Sequence, residues 1–142
     1  MKPPFHQPHD KLFKSSFQDK ATAVAFFRHH LPQAVVEGVD WSSLVLQQPG
    51  SYIDDRFRAS ESDLLYRVRL SHTDGGKHQN DGFVYLLFEH QRQEDRWLAL
   101  RLLGYQIKIW DHFLRQSPQA DTLPVIILVV LAQNRRKWAL SP

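Results

Sequence analysis

At 142 residues and 16.7 kDa the chain has the size of one ordinary domain, enough to bury about two thirds of its unfolded surface. Hydrophobic residues at 42% and charged residues at 23% are globular values, which exclude disordered, fibrous and low-complexity classes. Cysteine is absent, so disulfide scaffolds, thiolate zinc sites and cysteine nucleophiles are excluded as well.

The net charge of +3 resides in the last segment, with +1 over residues 1–60, −1 over 61–121 and +3 over 122–142, where Arg135, Arg136 and Lys137 stand together. Such a cluster either binds phosphate or is solvated surface, and composition alone does not indicate a nucleic-acid binder. The opening MKPPFHQPHDKLFK has no apolar run after its lysine and does not read as a secretory signal. The longest apolar run, residues 123–132, contains Pro124 and has ten residues, whereas a membrane span needs about 20. A cytoplasmic protein without membrane contact is expected, organised as a single domain over residues 1–142, since neither an internal repeat nor a linker divides it.

Asp10, Ser16 and Asp19 are capping residues ahead of a helical pattern over residues 17–30, and they leave open whether one helix or two lies there. Phe13, Phe17, Ala21, Val24, Phe27 and Leu31 share one face at helical spacing, and Pro32 closes the segment. Short strands are predicted over residues 43–47 and 52–57, separated by Pro49-Gly50. Residues 62–70 alternate, with Leu64, Tyr66, Val68 and Leu70 on one face and Asp63, Leu65, Arg67 and Arg69 on the other. A polar loop containing Asp74-Gly75-Gly76 and Asp81-Gly82 leads to a buried strand over 83–91, so the two strands form a long-loop hairpin.

Residues 94–115 lack proline, carry leucine and isoleucine at helical spacing and stop before Ser117-Pro118, which predicts a long helix. Its apolar arc spans about 200°, which predicts packing against both a sheet and another helix. Residues 125–131 are apolar on both faces, as in the middle of a covered sheet. The order is helix, strands, helix, strand: an α/β fold with a mixed central sheet flanked by helices.

The hairpin carries the chemistry. With Arg69 opposite Phe83, antiparallel register pairs Tyr85 with Arg67, Leu87 with Leu65 and Glu89 with Asp63. Gln91 follows on the same face about 7 Å further on. Opposed carboxylates repel unless a proton or cation lies between them, and Mg²⁺ suits one or two carboxylates plus water and substrate phosphate. Asp63 and Glu89 are therefore candidate metal ligands. The competing reading leaves both acids in water at a strand end, or in a register shifted by two residues.

On the long helix, Arg101, Tyr105, Lys108 and His112 fall within about 60° of the wheel, a face suited to a phosphate backbone or an oxyanion, or simply to water. Gln106 lies inside the apolar arc and either bonds a strand backbone, the favoured reading, or points into a site. None of the eight histidines has helical zinc spacing, and the glycine pattern matches neither a phosphate loop nor a nucleophile elbow. Trp41, Trp97, Trp110 and Trp138 are either core or dimer surface.

Five segments, HDKLFKSSF at 9–17, Leu31-Pro32, SDLLYRV at 62–68, LLFEHQ at 86–91 and LALRLLGYQIKIW at 98–110, occur in an order and spacing that resemble the recombination-promoting nucleases. These transposase-like proteins fall within the PD-(D/E)xK nuclease superfamily. The resemblance implies a restriction-endonuclease-like core of helix, three strands, helix and strand. It implies catalytic roles for Asp63, Glu89 and Gln91, with Asp63 and Glu89 as metal ligands and Gln91 where the superfamily usually has lysine. The carry-over extends more loosely to Arg101 and Tyr105. It also implies Mg²⁺ as cofactor, with Mn²⁺ or Ca²⁺ as substitutes, double-stranded DNA as partner, and phosphodiester hydrolysis of little sequence specificity in recombination or transposition. A second copy of the chain enters as a partner by analogy with nuclease dimers. A nuclease-fold binding module with weak or lost catalysis is the alternative. Arg92 replaces the serine common after EHQ, Ala132-Gln133-Asn134 replaces a YHG-like element, and the C-terminal extension usual in the family is expected to be missing.

Overall fold

The computed structural model describes residues 15–47, 63–71, 81–90 and 96–133. Its elements are α1 (Lys20–His30), α2 (Gln33–Glu37), β1 (Val39–Leu46), β2 (Asp63–Leu70), β3 (Asp81–His90), α3 (Leu98–Gln116) and β4 (Val125–Gln133). The strands form a mixed sheet in the order β1-β2-β3-β4, with β1, β2 and β3 antiparallel in succession and β4 parallel to β3. This is the α/β order of helix, three strands, helix and strand, consistent with a restriction-endonuclease-like core. The strand expected over 52–57 lies outside the described residues.

Asp19 starts α1. Its carboxylate accepts from Thr22 N at 3.1 Å and Thr22 Oγ1 at 2.7 Å, satisfying a donor that the first turn leaves open. These bonds hold the Asp19 carboxyl below its ordinary pKa. Residues 15–18 form a separate helical turn before it. The inward face of α1 is centred on Ala23 and Phe27, both fully buried, whereas Ala21 of the expected face is exposed. Phe27 stacks on Trp41 and meets Tyr66 edge-on, and this layer covers Leu64, Val68, Val84 and Leu86 on one side of the sheet. Burial of each large side chain there contributes about 1.5–3 kcal/mol.

The opposite side belongs to α3. Phe113 meets Phe83 with ring centroids 6.4 Å apart, and Tyr105 stacks on Tyr85 at 5.9 Å, so the helix runs back along β3. Leu102, Ile109, Leu65 and Leu87 complete this second core. Arg67 pairs with Asp81 at 2.5 Å while its guanidinium lies over the Phe83 and Phe113 rings, so its charge is matched and its flat face covers aromatic surface.

Three expectations are corrected. The strand β4 lies at the end of the described sheet rather than in its middle. It is apolar on both faces because Ile127, Val129 and Leu131 join the α1 core while Ile126, Leu128 and Val130 join the α3 core. No other described helix covers the outer arc of α3: Leu100, Leu103 and Ile107 are 62%, 48% and 54% exposed. Gln106 donates to Leu102 O of its own helix at 3.4 Å, not to a strand. Among the described residues no helix is long and apolar enough to cross a membrane.

Candidate metal and phosphodiester site

The β2–β3 ladder opens with Arg69 opposite Asp81 and brings Asp63 opposite Leu87. The expected pairing of Asp63 with Glu89 is therefore wrong by two residues. The cause is Asp81-Gly82, which is strand rather than loop. Gly82 stands opposite Val68 at a point where an added Cβ would come within 3.2 Å of Leu70 Cδ2 and 3.3 Å of Val125 O. Close approach of backbones, not a turn, accounts for the glycine.

An even shift preserves the faces of both strands. Asp63, Leu87 and Glu89 occupy one face, with Glu89 the diagonal neighbour of Asp63, about 7 Å away and somewhat less between Cβ atoms. The backbone of Glu89 is paired with Ala132 of β4. Gln91 lies outside the described residues.

The Asp63 carboxylate is half-buried and accepts a hydrogen bond from the Tyr85 hydroxyl at 2.7 Å. Tyr85 is itself 1% exposed. The sequence reading missed this residue, although its parity with Asp63 and Glu89 and the need of a buried hydroxyl for a partner were the available signals.

The α3 residues divide along the helix. The contacts of Phe113 with Phe83 and of Tyr105 with Tyr85 set the direction, so Arg101, one turn before Tyr105, stands at the end of the sheet that holds Asp63 and Glu89. Arg101 is half-buried and its Nε is inaccessible to solvent. Tyr105 is buried in the aromatic stack rather than presented to water. His112 lies about 16 Å from Arg101 along the axis, at the rise of 1.5 Å per residue. Burial, then the nearby Arg115 charge, hold the His112 pKa below its ordinary value, against the opposing pull of Asp111. The expected cationic face is thus split, with Arg101 and Tyr105 at the acidic end and His112 remote from it.

Among the described residues no group of three or more His, Asp or Glu converges. The described donor is one hard carboxylate, Asp63, oriented by a phenol, with the backbone of Glu89 two positions beyond its strand partner Leu87. That chemistry fits Mg²⁺ or Mn²⁺, which need one or two carboxylates and complete their shells with water and phosphate oxygens.

Comparison with known proteins places the chain in a family. The family described as "Putative transposase, YhgA-like" matches residues 7–142. Recombination-promoting nuclease RpnD of Escherichia coli O157:H7 is 32% identical over 136 residues, 94% of this chain and 49% of the relative. Recombination-promoting nuclease RpnA of Escherichia coli K12 is 33% identical over 120 residues, 84% of this chain and 38% of the relative. A protein of the same strain named "Putative inactive recombination-promoting nuclease-like protein YjiP" is 36% identical over 102 residues, 72% of this chain and 91% of the relative. The chain thus spans about half the length of RpnD and less of RpnA. No solved structure matches. With the family match running from residue 7 to the last residue and nuclease relatives aligned over most of the chain, this protein belongs to the YhgA-like transposase family, alongside the recombination-promoting nucleases.

Proposed function

We propose that the protein is a metal-dependent DNA endonuclease that hydrolyses phosphodiester bonds with little sequence specificity, in DNA recombination or transposition. The observation that carries the reading is the placement of Asp63 and Glu89 as diagonal neighbours on one face of the sheet, at the end where α3 brings Arg101. Relatives named recombination-promoting nucleases support it.

Bound there, Mg²⁺ supplies Lewis acidity toward a phosphate oxygen and a water of lowered pKa. The chain's own residues do the rest. Asp63 and Glu89 fix the position of positive charge at the strand ends. Arg101 offers guanidinium donors matched to the developing negative charge on a phosphate. Gln91, in place of the usual lysine, can donate a hydrogen bond to water or phosphate but brings no charge, and Arg101 offsets that loss. Duplex DNA is the partner in this reading, the cytoplasm its compartment, and a second copy of the chain the means of cutting both strands.

Cleavage of supercoiled plasmid with Mg²⁺, with Mn²⁺ and with EDTA, beside Asp63→Ala and Glu89→Ala, tests the proposal. Metal-dependent nicking that both substitutions abolish supports it; activity that survives both substitutions overturns the site. A second reading, a nuclease-fold module that binds DNA without cutting it, draws on the relatives named inactive and on the neutral Gln91. Salt-sensitive DNA binding without cleavage under either metal is its signature.

A further inference from the structure

We infer that Tyr85 is a positioning residue of the metal site, which sets the Asp63 carboxylate in the orientation that a divalent cation requires. The inference rests on the nuclease reading above and extends it to a residue that touches neither cation nor substrate.

Three observations carry it. The Tyr85 hydroxyl donates to Asp63 Oδ2 at 2.7 Å. The Tyr85 ring is 1% exposed and stacks on Tyr105 at 5.9 Å with planes 17° apart, so the hydroxyl is held by packing from β3 and α3 together. Leu65 lies opposite Tyr85 in the ladder and Leu87 opposite Asp63, which makes the bond a diagonal one that draws the carboxylate along its own strand.

An aspartate side chain has rotamer freedom that metal binding must reduce. A phenol fixed at both its ring and its oxygen removes that freedom beforehand. With Oδ2 engaged, the plane of the carboxylate is set and Oδ1 has a defined direction. Donation by a neutral hydroxyl to an anion is a charge-assisted bond and holds that geometry more firmly than a neutral pair. Loss of such an outer partner typically weakens metal binding by about 10–100-fold.

Tyr66 provides the control. It is equally buried, lies on β2, and donates to a carbonyl, Phe17 O, at 2.6 Å on the opposite side of the sheet. Tyr66→Phe removes a buried hydroxyl of the same kind without touching Asp63.

The measurement is Mn²⁺ affinity in the absence of DNA, by the electron paramagnetic resonance signal of free Mn²⁺, for the wild type, Asp63→Asn, Tyr85→Phe and Tyr66→Phe, each checked by thermal melting. Tyr85→Phe is expected to weaken Mn²⁺ binding about tenfold or more and to raise the Mn²⁺ needed for half-maximal cleavage by the same factor. Tyr66→Phe leaves the affinity unchanged. Both tyrosine variants are also made on Gly104→Ala, a background stabilised at a helix position with nothing within 4 Å of the added methyl, so that loss of one hydrogen bond does not unfold the chain. Wild-type affinity in a folded Tyr85→Phe, or an equal loss in both tyrosine variants, overturns the positioning role. If the wild type shows no Mn²⁺ binding that Asp63→Asn removes, the metal site itself is overturned and this role with it.

Discussion

Tyr66 and Tyr85 stand on neighbouring strands one register step apart, each 1% exposed, and their hydroxyls leave the sheet on opposite sides, one to Phe17 O and one to Asp63 Oδ2. The first ties the helical turn at residues 15–18 to the sheet; the second reaches into the candidate site.

Burial raises the Tyr66 pKa above its ordinary value of 10.0. The folded state therefore holds the phenolic proton more tightly than the unfolded state. The stability this contributes is complete below pH 10 and is lost as the pH climbs from there toward the folded-state value. Thermal melting between pH 8 and 12 is expected to fall on the alkaline side. Tyr66→Phe flattens that limb, and loss of the hydrogen bond costs about 1–2 kcal/mol at neutral pH.

His112 works in the opposite direction. Its pKa is lowered by burial and by Arg115, so the unfolded state takes up the proton first as the medium is acidified. The contribution is present above the ordinary value of 6.5 and disappears as the pH drops through the folded-state value. Melting temperatures across pH 4–8 check this, with His112→Gln expected to shallow the acid limb.

Asp63→Asn and Glu89→Gln keep volume and hydrogen-bonding capacity while removing charge. If cation stabilisation of the transition state is worth several kcal/mol, each lowers cleavage by more than about a hundredfold. Single-turnover rates at saturating Mg²⁺ are the readout, with melting curves to confirm an intact fold.

Two glycines of the described structure respond oppositely to alanine. At Gly82 the new Cβ meets Leu70 Cδ2 at 3.2 Å and the Val125 carbonyl at 3.3 Å, and since the backbone of β4 cannot yield as a side chain can, a loss of about 1–3 kcal/mol is expected. At Gly104, in the middle of α3, nothing lies within 4 Å, and the gain in helix propensity is about 1 kcal/mol. Urea denaturation of the two variants measures both signs.

The same Gly82 explains where reading the chain succeeded and where it stopped. Periodicity located α3 and β3 because an unbroken apolar run needs no knowledge of its neighbours, and alternation placed Asp63 and Glu89 on one face. Register was another matter. Asp81-Gly82 has the composition of a turn, yet it is strand because β4 and Leu70 press against it, a cause invisible until the sheet is assembled. Counting the hairpin from Phe83 shifted every pair by two. The irregularity in β1 was equally hidden: between Asp40 and Val45 the ladder slips, and the Ser43 hydroxyl accepts from Arg69 N at 2.7 Å where a backbone carbonyl would serve. Helix α2 escaped notice because five residues after Pro32 are too few for a period. Tyr85 escaped because its partner lies 22 residues away on another strand.

The placement of the tryptophans gives the molecule separate optical reporters for its layers. Trp41 is buried against Phe27, with its indole donating to Val36 O at 3.0 Å, so its emission follows the packing of α1 on the sheet. Trp110 is half-buried and donates to Pro124 O at 2.8 Å, so it follows the return from α3 into β4. Trp97, 63% exposed at the entrance to α3, emits from water and is the first of the three described tryptophans that iodide or acrylamide quenches. Among the described tryptophans, blue-shifted light from the interior and red-shifted light from the helix entrance thus belong to different residues, and with Trp138→Phe as the background they can be watched separately in one unfolding experiment.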